Sequence, residues 1–405
     1  MCKFICKVAF STTVAVFLLL VSLILYAYNL DTNFEFDSRP WASFDIKLPK
    51  STKNLKVAFI SIGSRGDYQP ISLVAKEFKQ NGHTVLIPVR DRYRYLMTDI
   101  LGFTDNEILW IPDEEGRVAE EVLGNPQRVV NVVKQSFTFF EFFNKETERY
   151  LDMIFSDKRF DDIDLIVTQE YIMNAALILS KKWKAPLISL KYSPIATTTD
   201  EYSVFSPRSS YTNPSIFNWL EFQIFNILAI YCQHDLFENI LAIHNLPQMP
   251  IHKLYYGKLR YEIPSYFLIS NAIYPELKRK PKWWKYFGPV FNEEKSIPTE
   301  TEAFLEKCKN ETIVYVGFGS TNQIAAASGR ITISIPIFEE QRINCRFTSQ
   351  YGLLLMLENS ELSEATLESA ILKALQVKDI SEKAQKIKDS VLGTRAIYDD
   401  ILSWL

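Results

Sequence analysis

The sequence predicts an α/β protein of the doubly wound, parallel-sheet class, and three stretches predict it. Lys56 to Ile62 is an apolar, β-branched run ending in the turn Gly63-Ser64-Arg65-Gly66-Asp67; a helical run follows, closed by Gly82, and a second apolar run opens at Thr84. Asp164 to Thr168, a helical pattern over 172–183 and Pro186 to Leu190 repeat that strand–helix–strand order. A third start comes at Thr312, with further strand and helix patterns behind it. Strands alternating with helices imply βαβ units and a sheet covered on both faces. Ligands of such domains sit beyond the carboxyl ends of the strands, so Arg65 and Asp67 stand where chemistry is expected.

A length of 405 residues accommodates two domains with sizeable cores. The net charge of −3 carries no basic excess that would point to nucleic acid. The 28 Phe and 20 Tyr suit large apolar cores or an apolar cleft. Val8 to Leu30 is a 23-residue run without a charge, preceded by Lys3 and Lys7 and followed by Asp31, Glu35 and Asp37. A transmembrane helix needs roughly 20 such residues. The flanking charges then place the amino terminus in the cytosol and the rest in the lumen of the endomembrane system, ER or Golgi, as a single-pass signal-anchored protein. A cleaved signal peptide is the alternative, although its apolar part usually spans only about 7–15 residues. Five cysteines, of which Cys232, Cys308 and Cys345 fall in the body of the chain, show no paired spacing and imply no disulfide framework.

On these patterns the chain divides into a cytosolic tip and anchor helix (1–30), a polar stalk (31–54), a first α/β domain (55–290), a linker (291–311) and a shorter second domain with a C-terminal helix (312–405). In the first domain strands are expected at 56–62, 84–89, 108–111, 163–168, 186–190 and 266–269, with helices near 70–80, 118–124, 127–155 and 172–183. Residues 216–245 carry Phe217, Leu220, Ile224, Ile227, Leu228, Tyr231 and Leu236 at helical spacing; a buried helix, a flap over a cleft and a membrane-docking surface all fit. The Pro-, Lys- and Trp-rich stretch 275–300 reads as connecting chain. In the second domain strands are expected at 313–318, 331–337 and 353–357, with helices near 340–350, from Ser363 and over 379–404. Leu367, Ala370, Ile371, Ala374 and Leu375 follow the spacing of a buried helix face.

Asp67 has two readings. It is placed to take a proton as a general base, or to cap the following helix, and Pro70 nearby suits a helix start. Arg65 fits a bond to Asp67, a contact to an acidic ligand, or plain solvation. Gly63 and Gly66 fit turn geometry. Asp162-Ile163-Asp164 precedes its strand, at the end away from the ligand edge, so capping suits it better than metal binding. The four histidines show no metal-ligand spacing, and no metal site or cofactor is expected.

The string Gly63-Ser64-Arg65-Gly66-Asp67-Tyr68-Gln69-Pro70 with Gly82-His83, the string Val314-Tyr315-Val316-Gly317-Phe318-Gly319-Ser320, and Pro336-Ile337-Phe338-Glu339-Glu340-Gln341 together resemble UDP-glycosyltransferases of the GT-B fold, in the sterol-glucosyltransferase-like and antibiotic-glycosyltransferase-like branch. The resemblance brackets residues 55 to 390. It implies two facing Rossmann-like domains and inverting, metal-independent transfer of a hexose from a UDP-sugar co-substrate to a hydroxyl of a lipid, sterol or other small apolar acceptor. It assigns Asp67 as the base and places Gly319 and Ser320 at the donor diphosphate and Glu340 and Gln341 on the donor sugar. Arg65, Ser193 and Phe140 would lie on the acceptor side, although Phe137, Phe139, Phe140, Phe142 and Phe143 fit core packing as well. One implied part is missing: a Gly-rich turn opening a helix against the diphosphate. Only twelve residues, 319–330, separate the strands at 313–318 and 331–337, about the minimum for one crossover. Two readings follow, an anchored transferase with a shortened donor half, and a non-catalytic, membrane-tethered binding remnant of one.

Overall fold

The computed structural model describes residues 19, 21–29, 39–112, 132–192, 215–247, 259–274, 276–291, 303–304, 306–307, 332–336, 339–358, 361–377 and 381–405, with the backbone alone at 132–143, 171, 225, 339–343, 347 and 381. The first sheet is built from β1 (Lys56–Ile60), β2 (Thr84–Arg90), β3 (Ile108–Ile111), β4 (Leu165–Gln169), β5 (Leu187–Lys191), β6 (Ser265–Phe267) and β7 (Trp284–Tyr286). The helices α1 (Arg65–Gln80), α2 (Val132–Ser156), α3 (Met173–Trp183) and α4 (Ser215–Ile243) lie between them in the chain. Behind them come β8 (Thr332–Ser334), α5 (Glu339–Gln350), β9 (Leu354–Met356), α6 (Glu364–Gln376), α7 (Ser381–Asp389) and α8 (Gly393–Leu402).

Every strand pair is parallel, and the order is β3-β2-β1-β4-β5-β6-β7. Val57 of β1 is opposite Val85 on one side and Leu165 on the other. All of β1 after Lys56 is buried, because a parallel strand under helices on both faces needs an unbroken apolar run. Its alternate side chains feed two layers. Val57 and Phe59 pack with Ile71, Val74 and Phe78 of α1 and with Ile397 and Ile401 of α8. Ala58 and Ile60 face Leu151 and Ile154 of α2, Leu177 of α3 and Leu241 of α4. The domain is therefore a three-layer α/β/α sandwich.

The six strands expected in the first domain are present within a residue or two, and β3 spans the residues expected. The seventh strand, β7, lies inside 275–300, so that stretch is not merely connecting chain. Its Trp284 is buried with Trp283, Phe267 and Tyr274 in a cluster that also takes in Leu353 and Ile387. The latter part of the stalk is fastened to the domain. Trp41 is buried with its indole N–H donating to the Leu187 carbonyl at 2.8 Å, and the Ser43 hydroxyl donates to Glu262 at 2.7 Å.

The C-terminal segment is two helices rather than one, broken at Ser390–Leu392 where the chain crosses the end of β7. Leu392 N–H donates to the Phe287 carbonyl at 2.9 Å. Gly288, at φ +75°, comes so close that a Cβ there would lie 2.2 Å from the Ser390 carbonyl oxygen. α8 then lies back on α1, with Phe78 edge-on to Tyr398 at 4.8 Å. The face of α6 expected to be buried is not: none of its residues is buried, and Leu375 is exposed. β8 and β9 pair in parallel around α5, one βαβ unit. The strand expected at 313–318 and the helix at 118–124 lie outside the described residues. So does most of the charge-free run; its residues 21–29 are helical, and among the described residues no helix is long and apolar enough to cross a membrane.

Candidate active site

The sheet's strand order reverses between β1 and β4, the place where doubly wound sheets open a crevice at their carboxyl edge. Asp67 sits in the first turn of α1 at that crevice. Gly63 has φ +130°, and a Cβ there would lie 2.3 Å from Asp67 Oδ2, so only glycine lets the carboxylate fold back over the turn. Oδ2 accepts from the Ser64 N–H at 2.6 Å and from the Ser64 hydroxyl at 3.0 Å, the acidic half of a capping box. Oδ1 accepts from Nε2 of Gln169, the last residue of β4, at 2.5 Å. Ser61 Oγ lies 3.3 Å from Gln169 Oε1 and donates to it. The Tyr192 hydroxyl, just beyond β5, donates to the Asp67 carbonyl at 3.3 Å.

Loss of water around this half-buried carboxyl pushes its pKa from 3.8 up to about 6. The bonds from Ser64 and Gln169 and the positive charge of Arg90 pull the other way without cancelling that rise. Asp67 caps α1, as one of its two readings had it, and its proton affinity is raised towards neutral pH.

A second layer of polar groups stands on the same edge. Arg90, the last residue of β2, meets Glu146 at 2.5 Å with both side chains buried. The Tyr150 hydroxyl lies 2.6 Å from the Ser61 carbonyl and 2.8 Å from that of Pro88, tying the ends of β1 and β2 together. Lys191, closing β5, is 3.7 Å from Glu170, again with both side chains buried. Burial lowers the Lys191 pKa, and the Glu170 charge restores part of it. None of Arg90, Glu146, Gln169, Glu170, Lys191 and Tyr192 was expected from sequence. The available signal was positional, since five of them close a strand or directly follow one.

Arg65 is exposed and does not pair with Asp67; its Nε donates to Gln69 Oε1 at 3.1 Å, one helical turn on. Gly66 lies within α1 and serves no turn. Pro70 is the sixth residue of that helix rather than its first. Asp164 caps the opposite edge of the sheet, accepting from the Lys56 N–H at 2.8 Å. Phe140 lies on α2 and Glu340 and Gln341 in the first turn of α5, beyond the carboxyl end of β8; their side chains, and Ser193, Gly319 and Ser320 entirely, lie outside the described residues. Among the described residues no cluster of His, Cys, Asp or Glu gathers that could hold a metal ion.

No family model matches the chain. CalG4, the calicheamicin glycosyltransferase, superposes with a TM-score of 0.60 at 12% identity, covering 88% of this chain and 99% of that one. SnogD, a glycosyltransferase from Streptomyces nogalater, gives a TM-score of 0.54 at 12% identity, over 87% of this chain and 100% of the other. The glycotransferase of kitacinnamycin gives 0.52 at 13% identity, over 87% and 99%. In sequence the chain is 21% identical over 371 residues to a sterol 3-beta-glucosyltransferase of Candida albicans, matching 85% of this chain and 22% of that protein. The chain thus spans about a fifth of that relative's length. The resemblance to GT-B UDP-glycosyltransferases drawn from the three strings holds at the level of architecture: the chain has the GT-B glycosyltransferase fold.

Proposed function

We propose that the chain is a membrane-anchored, inverting, metal-independent UDP-glycosyltransferase that transfers a hexosyl group to a hydroxyl of a lipid, sterol or other small apolar acceptor. The observation that carries this reading is the Asp67 carboxylate at the strand-order reversal, held from both sides by Ser64 and Gln169 and titrating near about 6. At neutral pH it is mostly ionised yet basic enough to accept a proton, the compromise a general base needs. As the acceptor oxygen bonds to the anomeric carbon, its proton passes to Asp67. The bond from that carbon to the diphosphate oxygen breaks, and UDP leaves with the electron pair. Attack opposite the leaving group inverts the configuration.

On the donor side the reading assigns Gly319 and Ser320 to the diphosphate and Glu340 and Gln341 to the sugar hydroxyls, and Ser193 and Phe140 to the acceptor side. Helix termini and polar side chains neutralise the departing diphosphate in this reading, with no metal or other cofactor. The activity named for the Candida albicans relative supports glucosyl transfer to a sterol. The charge-free run 8–30 supports an endomembrane address with the body of the chain in the lumen.

The short span 319–330 favours a second reading, a tethered acceptor-binding protein without transfer. Calorimetry with UDP, together with incubation of the full chain with labelled UDP-glucose or UDP-glucuronic acid and a sterol mixture, separates the two. Transfer supports the enzyme. Absence of both UDP binding and transfer leaves the remnant.

A further inference from the structure

We propose that the outer face of α4 is a bilayer-docking surface that seats the first domain against the membrane. One side of α4 is buried, with Trp219, Phe222, Asn226 and Ala229 turned to the protein. The opposite side of a surface helix is expected to be polar. Here it carries Phe217, Ile224 and Tyr231, seven residues apart and so in one stripe, with Ile227 alongside; they are 55%, 53%, 76% and 58% exposed. Glu221 is the only charged residue between 215 and 233. Beyond Tyr231 the next positions of the stripe, Asp235 and Glu238, carry charge, which bounds the patch.

The occupant is indicated by what adjoins the stripe. Tyr28, in the helical segment 21–29, has its hydroxyl 2.6 Å from Ser215 Oγ and its ring edge-on to Trp219 at 5.7 Å. That segment exposes Leu23, Leu25 and Tyr26 and ends the 23-residue charge-free run. Two uncovered apolar surfaces meet at one corner, and one of them belongs to a run long enough for a hydrocarbon core. Tyr26 and Tyr231, both exposed, are of a residue type that settles at the lipid–water boundary. A helix lying in that plane buries its apolar face in the headgroup region. This inference rests on the anchored part of the proposed function.

The test uses the full chain with Cys2, Cys6, Cys232 and Cys308 replaced by Ser. An environment-sensitive nitrobenzoxadiazole label is placed at Ile227→Cys, or in a second protein at exposed Lys388→Cys on α7. Both are reconstituted with phosphatidylcholine–phosphatidylserine vesicles carrying doxyl lipids. The expected result is co-flotation of both proteins, with blue-shifted emission and loss of most intensity to the doxyl quencher at 227 and neither change at 388. Failure to float overturns the anchor and the docking face together. Flotation with equal quenching at the two positions overturns the docking face alone. A blue shift at 227 that needs no lipid and grows with protein concentration assigns the stripe to a second copy and overturns it as well.

Discussion

The side-chain amide of Gln169 donates to the carboxylate of Asp67 at 2.5 Å, and that bond spans the point where the strand order of the sheet reverses. It joins the end of β4 to the first turn of α1, two elements about a hundred residues apart, and fixes the direction in which a carboxylate with a pKa near about 6 faces.

That pKa sets a pH limb. With Asp67 as base, kcat/KM for transfer is expected to hold above pH about 6 and to fall below it, approaching tenfold per pH unit. A profile measured from pH 4.5 to 8 checks it; a flat profile across 5 to 7 contradicts the assignment.

Gln169→Leu removes a bond that favours the charged carboxylate. The limb is expected to move up by about one pH unit, which corresponds to about 1.4 kcal/mol, a usual size for a hydrogen bond to a charged group, and kcat/KM at pH 7 to fall about twofold, with close to tenfold loss only well below the limb. The shift of the limb distinguishes this from general damage, since a misfolded fraction lowers the amplitude without moving the midpoint.

Gly63→Ala puts a side chain at φ +130° and 2.3 Å from Asp67 Oδ2. A cost of about 1–3 kcal/mol is expected from the backbone alone, with further loss from displacing the carboxylate. Urea unfolding reads the first effect and transfer activity the second. A variant with unchanged midpoint and activity would show that the turn does not hold Asp67 where the structure puts it.

His83 Nδ1 accepts from the Leu55 N–H at 3.0 Å, so its proton sits on Nε2, which lies 2.9 Å from the Tyr398 hydroxyl on α8. Burial lowers its pKa from 6.5. The unfolded chain therefore takes up the proton first, and the stabilising contribution of His83 is complete above pH 6.5 and lost as pH falls through that value towards the folded pKa. Asp67 has the opposite sign: its raised pKa favours the folded state at low pH, and that contribution is lost as pH rises through about 6. Thermal midpoints between pH 5 and 7.5 should accordingly rise less with pH in His83→Gln than in the parent, and rise more in Asp67→Asn.

The first sheet was largely legible because its central strands are buried on both faces, and such strands advertise themselves as continuous apolar runs. β7 escaped because three residues, Trp-Lys-Tyr, carry no period of their own and are held by neighbours such as Phe267. The break between α7 and α8 escaped because it comes from a crossing over Gly288, a contact between segments about a hundred residues apart. The buried face expected on α6 shows the converse: spacing reports which residues could be covered, and only the fold supplies a partner. In the site, Asp67 was legible from its turn. Gln169 was not, because a glutamine closing a strand acquires a role only once β1 and β4 lie side by side.

The most direct measurement of the central claim is kcat/KM for transfer from a UDP-sugar at pH 7.5 in the parent chain and in Asp67→Asn, with folding checked in parallel. Asparagine keeps the shape and a capping oxygen but takes no proton. The account predicts a loss of about 10²–10⁴-fold, the usual contribution of a general base, in a variant at least as stable as the parent. Equal transfer by the two proteins would contradict it.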